Sequence, residues 1–286
     1  MKTQRLPRQT IPIVALCLLL LTLPTLPSAA QSTVRYFAAL ATRWPYRAWQ
    51  EQETDYFQLR FTESDQALAA WLGQQADQAV EQATQLLPYE QEHKPWLVIA
   101  PHQAMLQKAF GWGENTGALG VYIAETIIIL SPQAWEWEQP SLREAVFARQ
   151  GPLVHEYTHF LLDQSAQGNY PRWFSEGLAQ YVEFQVLGYE WLEAGSSLAN
   201  PLYSLQELTR QFDHLPNQAL AYRQSLSMVS FLAARGDTGL NRLITLLGQG
   251  KHFDAAVAQV YGLRPEALMT AWQHWIAGDS RWLQIK

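Results

Sequence analysis

The run His155-Glu156-Tyr157-Thr158-His159 sets two imidazoles four residues apart, a spacing that brings side chains together only on an α-helix. At about 100° per residue the two histidines fall within roughly 40° of each other. Leu153, Val154, Tyr157, Phe160 and Leu161 lie on the opposite side, so the helix can bury an apolar back while showing both rings to an opening. The pattern around this helix divides the chain. Residues 55–61 alternate as a strand, and Ser64 suits the N-cap of a long helix to about residue 87. A short apolar strand at 96–99 leads to a helical segment at 105–110 and a Gly-rich turn at 111–120. Two strands are expected at 121–124 and 126–130, closed by Ser131-Pro132. From residue 141 the period is helical: 141–148, 152–166, 175–186, 205–212, 220–234, 240–248 and two more near the C-terminus. The expected fold is α+β, with a small β-containing N-terminal lobe (about 55–132) and a helical C-terminal lobe (about 141–286) flanking a cleft. Residues 133–140 form the crossover, and there is no internal repeat.

The first thirty residues are read apart from this fold. Lys2, Arg5 and Arg8 precede an apolar run from Ile11 to Leu23, followed by Pro24, Pro27 and the small residues Ser28-Ala29-Ala30. This is the pattern of a signal peptide cleaved after Ala30, and the run is shorter than the roughly 20 residues a membrane-spanning helix needs. The expectation is an exported chain, periplasmic or extracellular, with no stable membrane anchor. Leu16 precedes the single Cys17, where a lipoprotein signal has a small residue, so lipidation is rejected. Loss of residues 1–30 would take the formal charge from −6 to −9 and remove the only cysteine. That balance argues against a nucleic-acid partner, and packing or a metal must stabilise the exported chain without disulfides.

Glu156 lies beside the histidine pair, close enough to reach an activated water without joining the ligands. Two neutral imidazoles with an open position suit zinc. A third protein ligand is required, and the residues after His159 discriminate between solutions: Leu162 and Ser165 stand where one alternative needs Gly and His. A second helix starting near Ser175 offers Glu176 in its first turn, seventeen residues after His159, with Glu183 as the fallback. There is no Gly-x-Ser-x-Gly run, and without a cysteine in the exported chain no thiol nucleophile exists.

His155-Glu156-Tyr157-Thr158-His159 followed by Trp173-Phe174-Ser175-Glu176-Gly177-Leu178-Ala179-Gln180-Tyr181 resembles the gluzincin peptidases, and among them the peptidase MA-like proteins with a W-x-x-E-G-x-A-x-Y run. The likeness extends from the strand near Phe57 to about Trp275. It implies a zincin-like fold, one zinc ion held by His155, His159 and Glu176, Glu156 as general base, and a peptide or protein substrate. The stretch from Tyr222 to Leu232 is similar to the place where a tyrosine at a helix start donates to the oxyanion, with His214 the other candidate donor. Thermolysin-like members carry an Asp four residues after the third ligand to orient the first histidine; Gln180 stands there, and its amide oxygen is the expected acceptor. Aminopeptidases carry a Gly-x-Met-Glu-Asn strand; Gly117-Ala118-Leu119-Gly120-Val121 has no such Glu, so an extended peptide along 121–130 is expected instead. The competing expectation is a non-catalytic zinc-containing or peptide-binding envelope protein of the same fold.

Overall fold

The computed structural model describes residues 28–110, 117–135 and 139–284. Residues 1–27 of the stretch read as a signal peptide, most of the Gly-rich turn and the middle of the 133–140 crossover lie outside the described residues. The chain forms two compact units: one comprises Met1–Trp71 with Pro95–Glu138, the other Leu72–Lys94 with Gln139–Lys286. No helix among the described residues is long and apolar enough to cross a membrane.

The first unit is a mixed five-stranded sheet in the order β1-β2-β3-β5-β4. Its strands are β1 (Gln50–Glu53), β2 (Gln58–Phe61), β3 (Trp96–Ala100), β4 (Gly120–Ile123) and β5 (Thr126–Leu130). The central pairs β2–β3 and β3–β5 are parallel, and antiparallel β1 and β4 close the two edges. β5 is buried along its whole length and β3 from Leu97 onward, which is why both read as continuous apolar runs. Helix α1 (Ser28–Arg43) precedes the sheet, and α3 (Gln103–Phe110) sets Leu106 and Phe110 in a cluster with Val98, Ile128 and Leu130. The β4–β5 hairpin turns through Ala124 (φ 44°) and Glu125 (φ 59°), both in the left-handed region that a two-residue turn of this hand requires. Arg43 tacks the turn down, donating to the Glu125 carbonyl at 2.9 Å. The Gln-Glu-Gln-Glu strand β1 is almost wholly exposed, so it carries no apolar alternation by which sequence could reveal it.

Helix α2 (Gln66–Leu86) connects β2 to β3. The second unit contains α4 (Arg143–Gln150), α5 (Leu153–Ala166), α6 (Arg172–Leu187), α7 (Leu205–Gln211), α8 (Gln218–Ala233), α9 (Gly239–Gly248), α10 (Phe253–Tyr261), α11 (Pro265–Ala277) and α12 (Ser280–Leu283). The apolar back of α5 is buried as its spacing predicts: Leu153, Val154, Tyr157, Phe160 and Leu161 are each at most 6% exposed. α6 and α8 approach backbone to backbone at Gly177, where a Cβ would stand 2.7 Å from the Ser225 carbonyl carbon and 2.9 Å from a Val229 methyl. The residue after Glu176 therefore has no room for a side chain. Arg223, 2% exposed, ties α8 to the end of the chain: it donates to the carbonyls of Arg281 (2.6 Å) and Gln284 (3.0 Å) and pairs with Glu190 (3.1 Å).

Candidate metal centre

The chain reverses between α5 and α6 in a turn held by its own side chains. Gln167 adopts a left-handed conformation and Asn169 donates to the carbonyls of Leu247 (2.8 Å) and Lys251 (3.0 Å). The Tyr170 hydroxyl donates to Asp163 at 3.1 Å. Pro171, extended at ψ 150°, then stands at the N-cap position of a helix that starts at Arg172, three residues before the expected start at Ser175. Glu176 consequently lies in the second turn of α6, where the helix dipole contributes little; it is positioned by contacts instead.

Those contacts converge. Glu176 Oε2 stands 3.3 Å from His155 Nε2 and 3.6 Å from His159 Nε2. The three side chains offer donor atoms that all lie within 4.8 Å of one another and could hold a metal ion. The far nitrogen of each ring is also engaged: His155 Nδ1 with Glu183 Oε2 at 3.3 Å, and His159 Nδ1 with the Ser175 hydroxyl at 2.8 Å. The first histidine thus pairs with the later acidic residue of α6 and the second with the earlier serine, so the two helices run antiparallel. The other oxygen of Glu176 receives Arg172 Nη1 at 2.6 Å, and Arg172 Nε reaches Asp213 at 3.3 Å.

Two expectations are corrected here. Gln180 does not serve as acceptor for His155; its amide nitrogen donates to the Tyr222 carbonyl at 3.0 Å, binding α6 to α8. Glu183, the fallback ligand, sits behind the His155 ring and not among the three converging donors. It was legible only as a further acidic residue, because its pairing spans 28 residues of sequence.

Residues 120–278, more than half of the chain, match the family model described as Peptidase MA superfamily. The chain belongs to the Peptidase MA superfamily. Comparison with curated proteins and with solved structures gives no match. Membership supports a metallopeptidase-like function, and the matched span contains all of α5, α6 and α8.

The electrostatics of this Peptidase MA centre follow from burial against pairing. Burial opposes ionisation of Glu176, but Arg172, His159 and His155 outweigh it and hold its carboxyl well below the usual range. Burial likewise disfavours a charged His155, yet its bonds to Glu176 and Glu183 lift its pKa well above the ordinary value. Glu156, 6% exposed, is raised chiefly by burial, with Glu176 adding and the two histidines and Arg172 opposing. Tyr222 packs between Trp191 (ring centroids 5.3 Å apart) and Phe212 (5.2 Å). Burial first, then the charge of Glu176, pushes its phenol upward. His214 is exposed in the turn Phe212–His214.

Proposed function

We propose that this chain is an exported zinc-dependent peptidase that hydrolyses peptide bonds by attack of water, with Glu156 as general base. One observation carries the reading. Glu176 Oε2 stands 3.3 and 3.6 Å from the two imidazole nitrogens, and ligand atoms about 2.0 to 2.1 Å from a tetrahedral zinc stand about 3.3 Å apart. Two imidazoles and one carboxylate also leave a fourth position for water or substrate, as catalytic zinc requires. The charged N-terminus, the apolar run and the small residues at 28–30 support export.

Zinc in this site would supply Lewis acidity, polarising a carbonyl and lowering the pKa of water. His155, His159 and Glu176 would hold it, with Arg172 on the second oxygen of Glu176 leaving the first directed at the imidazoles. Glu156 takes the proton of the attacking water and returns it to the leaving amine nitrogen. Tyr222 donates its phenolic hydrogen to the oxygen that becomes negative in the tetrahedral transition state.

The test is zinc analysis of the purified protein coupled to digestion of a mixed peptide library. One zinc per chain is expected, with cleavage lost on chelation and regained when zinc returns. A zinc-loaded protein that leaves the library intact refutes the peptidase reading. Tyr222→Phe tests the donor: kcat should fall about 10² to 10³-fold with zinc content and KM little changed. An unchanged kcat would make Tyr222 a packing aromatic only.

A further inference from the structure

Helix α1 is built the opposite way round from a helix that belongs to a core. Its buried side consists of the small residues Ala38, Ala39 and Thr42, and it rests on β5. Its large apolar residues face outward: Tyr36, Phe37 and Leu40, with Trp44 in the turn that follows, are 46–63% exposed. Among the described residues these four make up most of the exposed large hydrophobic side chains. The exposure is therefore one patch and not the ordinary scatter of a protein surface. Spacings of three and four keep Phe37, Leu40 and Trp44 on one side, and Tyr36 stands edge-on to Phe37 with ring centroids 5.7 Å apart.

We propose that this face docks reversibly on a lipid bilayer surface bearing anionic headgroups; the choice of occupant rests in part on the export reading. Charge supports it first. All 26 acidic residues of the chain lie from Glu51 onward, whereas Arg35, Arg43 and Arg47 lie in and just after α1. Arg43 is engaged with Glu125 at 3.4 Å, and the guanidinium of exposed Arg47 lies over the Trp44 ring, 3.6 Å from its centroid. An anionic surface attracts this part of an otherwise acidic chain, while a second copy would bring the same arginines together. Position in the chain supports it next. Only residues 24–27 separate α1 from the apolar run Ile11–Leu23, so a chain led into a bilayer by that run arrives with α1 at the lipid surface. Tryptophan, tyrosine and arginine are side chains that settle at such a surface, with rings at headgroup depth and charge in water. α1 is not apolar enough to cross the bilayer, so the contact is a seating on its surface.

The experiment sediments the exported form beginning at Gln31 with vesicles of equal parts phosphatidylcholine and phosphatidylglycerol, and with vesicles of phosphatidylcholine alone. Wild type should bind the mixed vesicles, and added salt should weaken the binding. Phe37→Ser combined with Trp44→Ser should lower the partition by about 30-fold or more, since two rings lose their burial in the interface. Arg47→Gln should lower it about fivefold on the mixed vesicles and leave phosphatidylcholine unaffected. All three positions are exposed, so circular dichroism and thermal unfolding should match wild type. If the double variant folds poorly, the wild-type salt dependence and Arg47→Gln decide the matter. Wild type that stays in solution beside the mixed vesicles overturns the proposal, as does a double variant within about twofold of wild type, against the expected 30-fold. A dimer that forms without lipid and is dissolved by the same two substitutions gives the face to a second copy and also overturns it. N-terminal sequencing of the exported protein tests the export reading separately: a chain still starting at Met1 refutes signal cleavage and not the docking.

Discussion

Glu156→Gln is expected to leave the fold and zinc content intact while kcat on a peptide substrate falls by about 10⁴-fold, the upper end of what one proton-transferring group contributes. The size follows from the same carboxylate acting twice, first accepting the proton of water and then delivering it to the amine. An amide of the same shape can do neither. The substitution is mild for the structure, because Glu156 is not among the three converging donors and its carboxylate has no hydrogen bond among the described residues. The loss should appear in kcat and kcat/KM alike, since Glu156 acts only as the transition state forms. Parallel measurements of zinc content, thermal unfolding and turnover check all three parts. Turnover within about tenfold of wild type, a loss far smaller than general-base removal gives, would refute the mechanism.

What the sequence made legible was local. Both histidines and the buried back of α5 follow from helical spacing alone, and β3 and β5 from uninterrupted apolar runs. Glu176 does group with the two histidines, but its place in the helix differs: the helical period suggests a start near Ser175, and the helix begins at Arg172. In the structure the Ser175 hydroxyl faces the His159 ring, and Pro171 occupies the N-cap position with no side-chain capping bond. What sequence could not show were partnerships between distant segments. The Arg172–Asp213 pair, the Glu183 carboxylate behind His155 and the Arg223 bonds to the C-terminal carbonyls leave no periodic trace. Each depends on which faces of separate helices are packed together. Gly177 is an intermediate case: its presence was plain, but its reason, the Ser225 backbone pressed against it, appears only in three dimensions.

Replacing His155, His159 or Glu176 by Ala should each weaken zinc binding by about 10³-fold, and the ranking of these losses against Glu183→Ala tests the ligand set. Binding free energies near 12 kcal/mol, divided over three protein ligands, leave each with about 4 kcal/mol, or about 10³ in the dissociation constant. Among the described residues, no fourth protein donor lies with the converging atoms to compensate. Saturating zinc at about 1,000 times its dissociation constant adds about 4 kcal/mol to the stability of the native state, so zinc should raise the wild-type melting temperature and leave the three variants unmoved. The metal-free variants separate this effect from damage to the fold. Glu176→Ala strips Arg172 of one partner, but that side chain is 46% exposed and keeps Asp213, so water replaces what is lost. His155→Ala leaves Glu183 buried without its imidazole, and is expected to be the less stable of the two before any metal is added. Glu183→Ala should weaken zinc by less than any of the three, because it acts through the ring and not on the ion. If Glu183→Ala removed zinc as completely as His159→Ala while Glu176→Ala retained it, the third ligand would be Glu183, and Glu176 would be left as the ion-pair partner of Arg172.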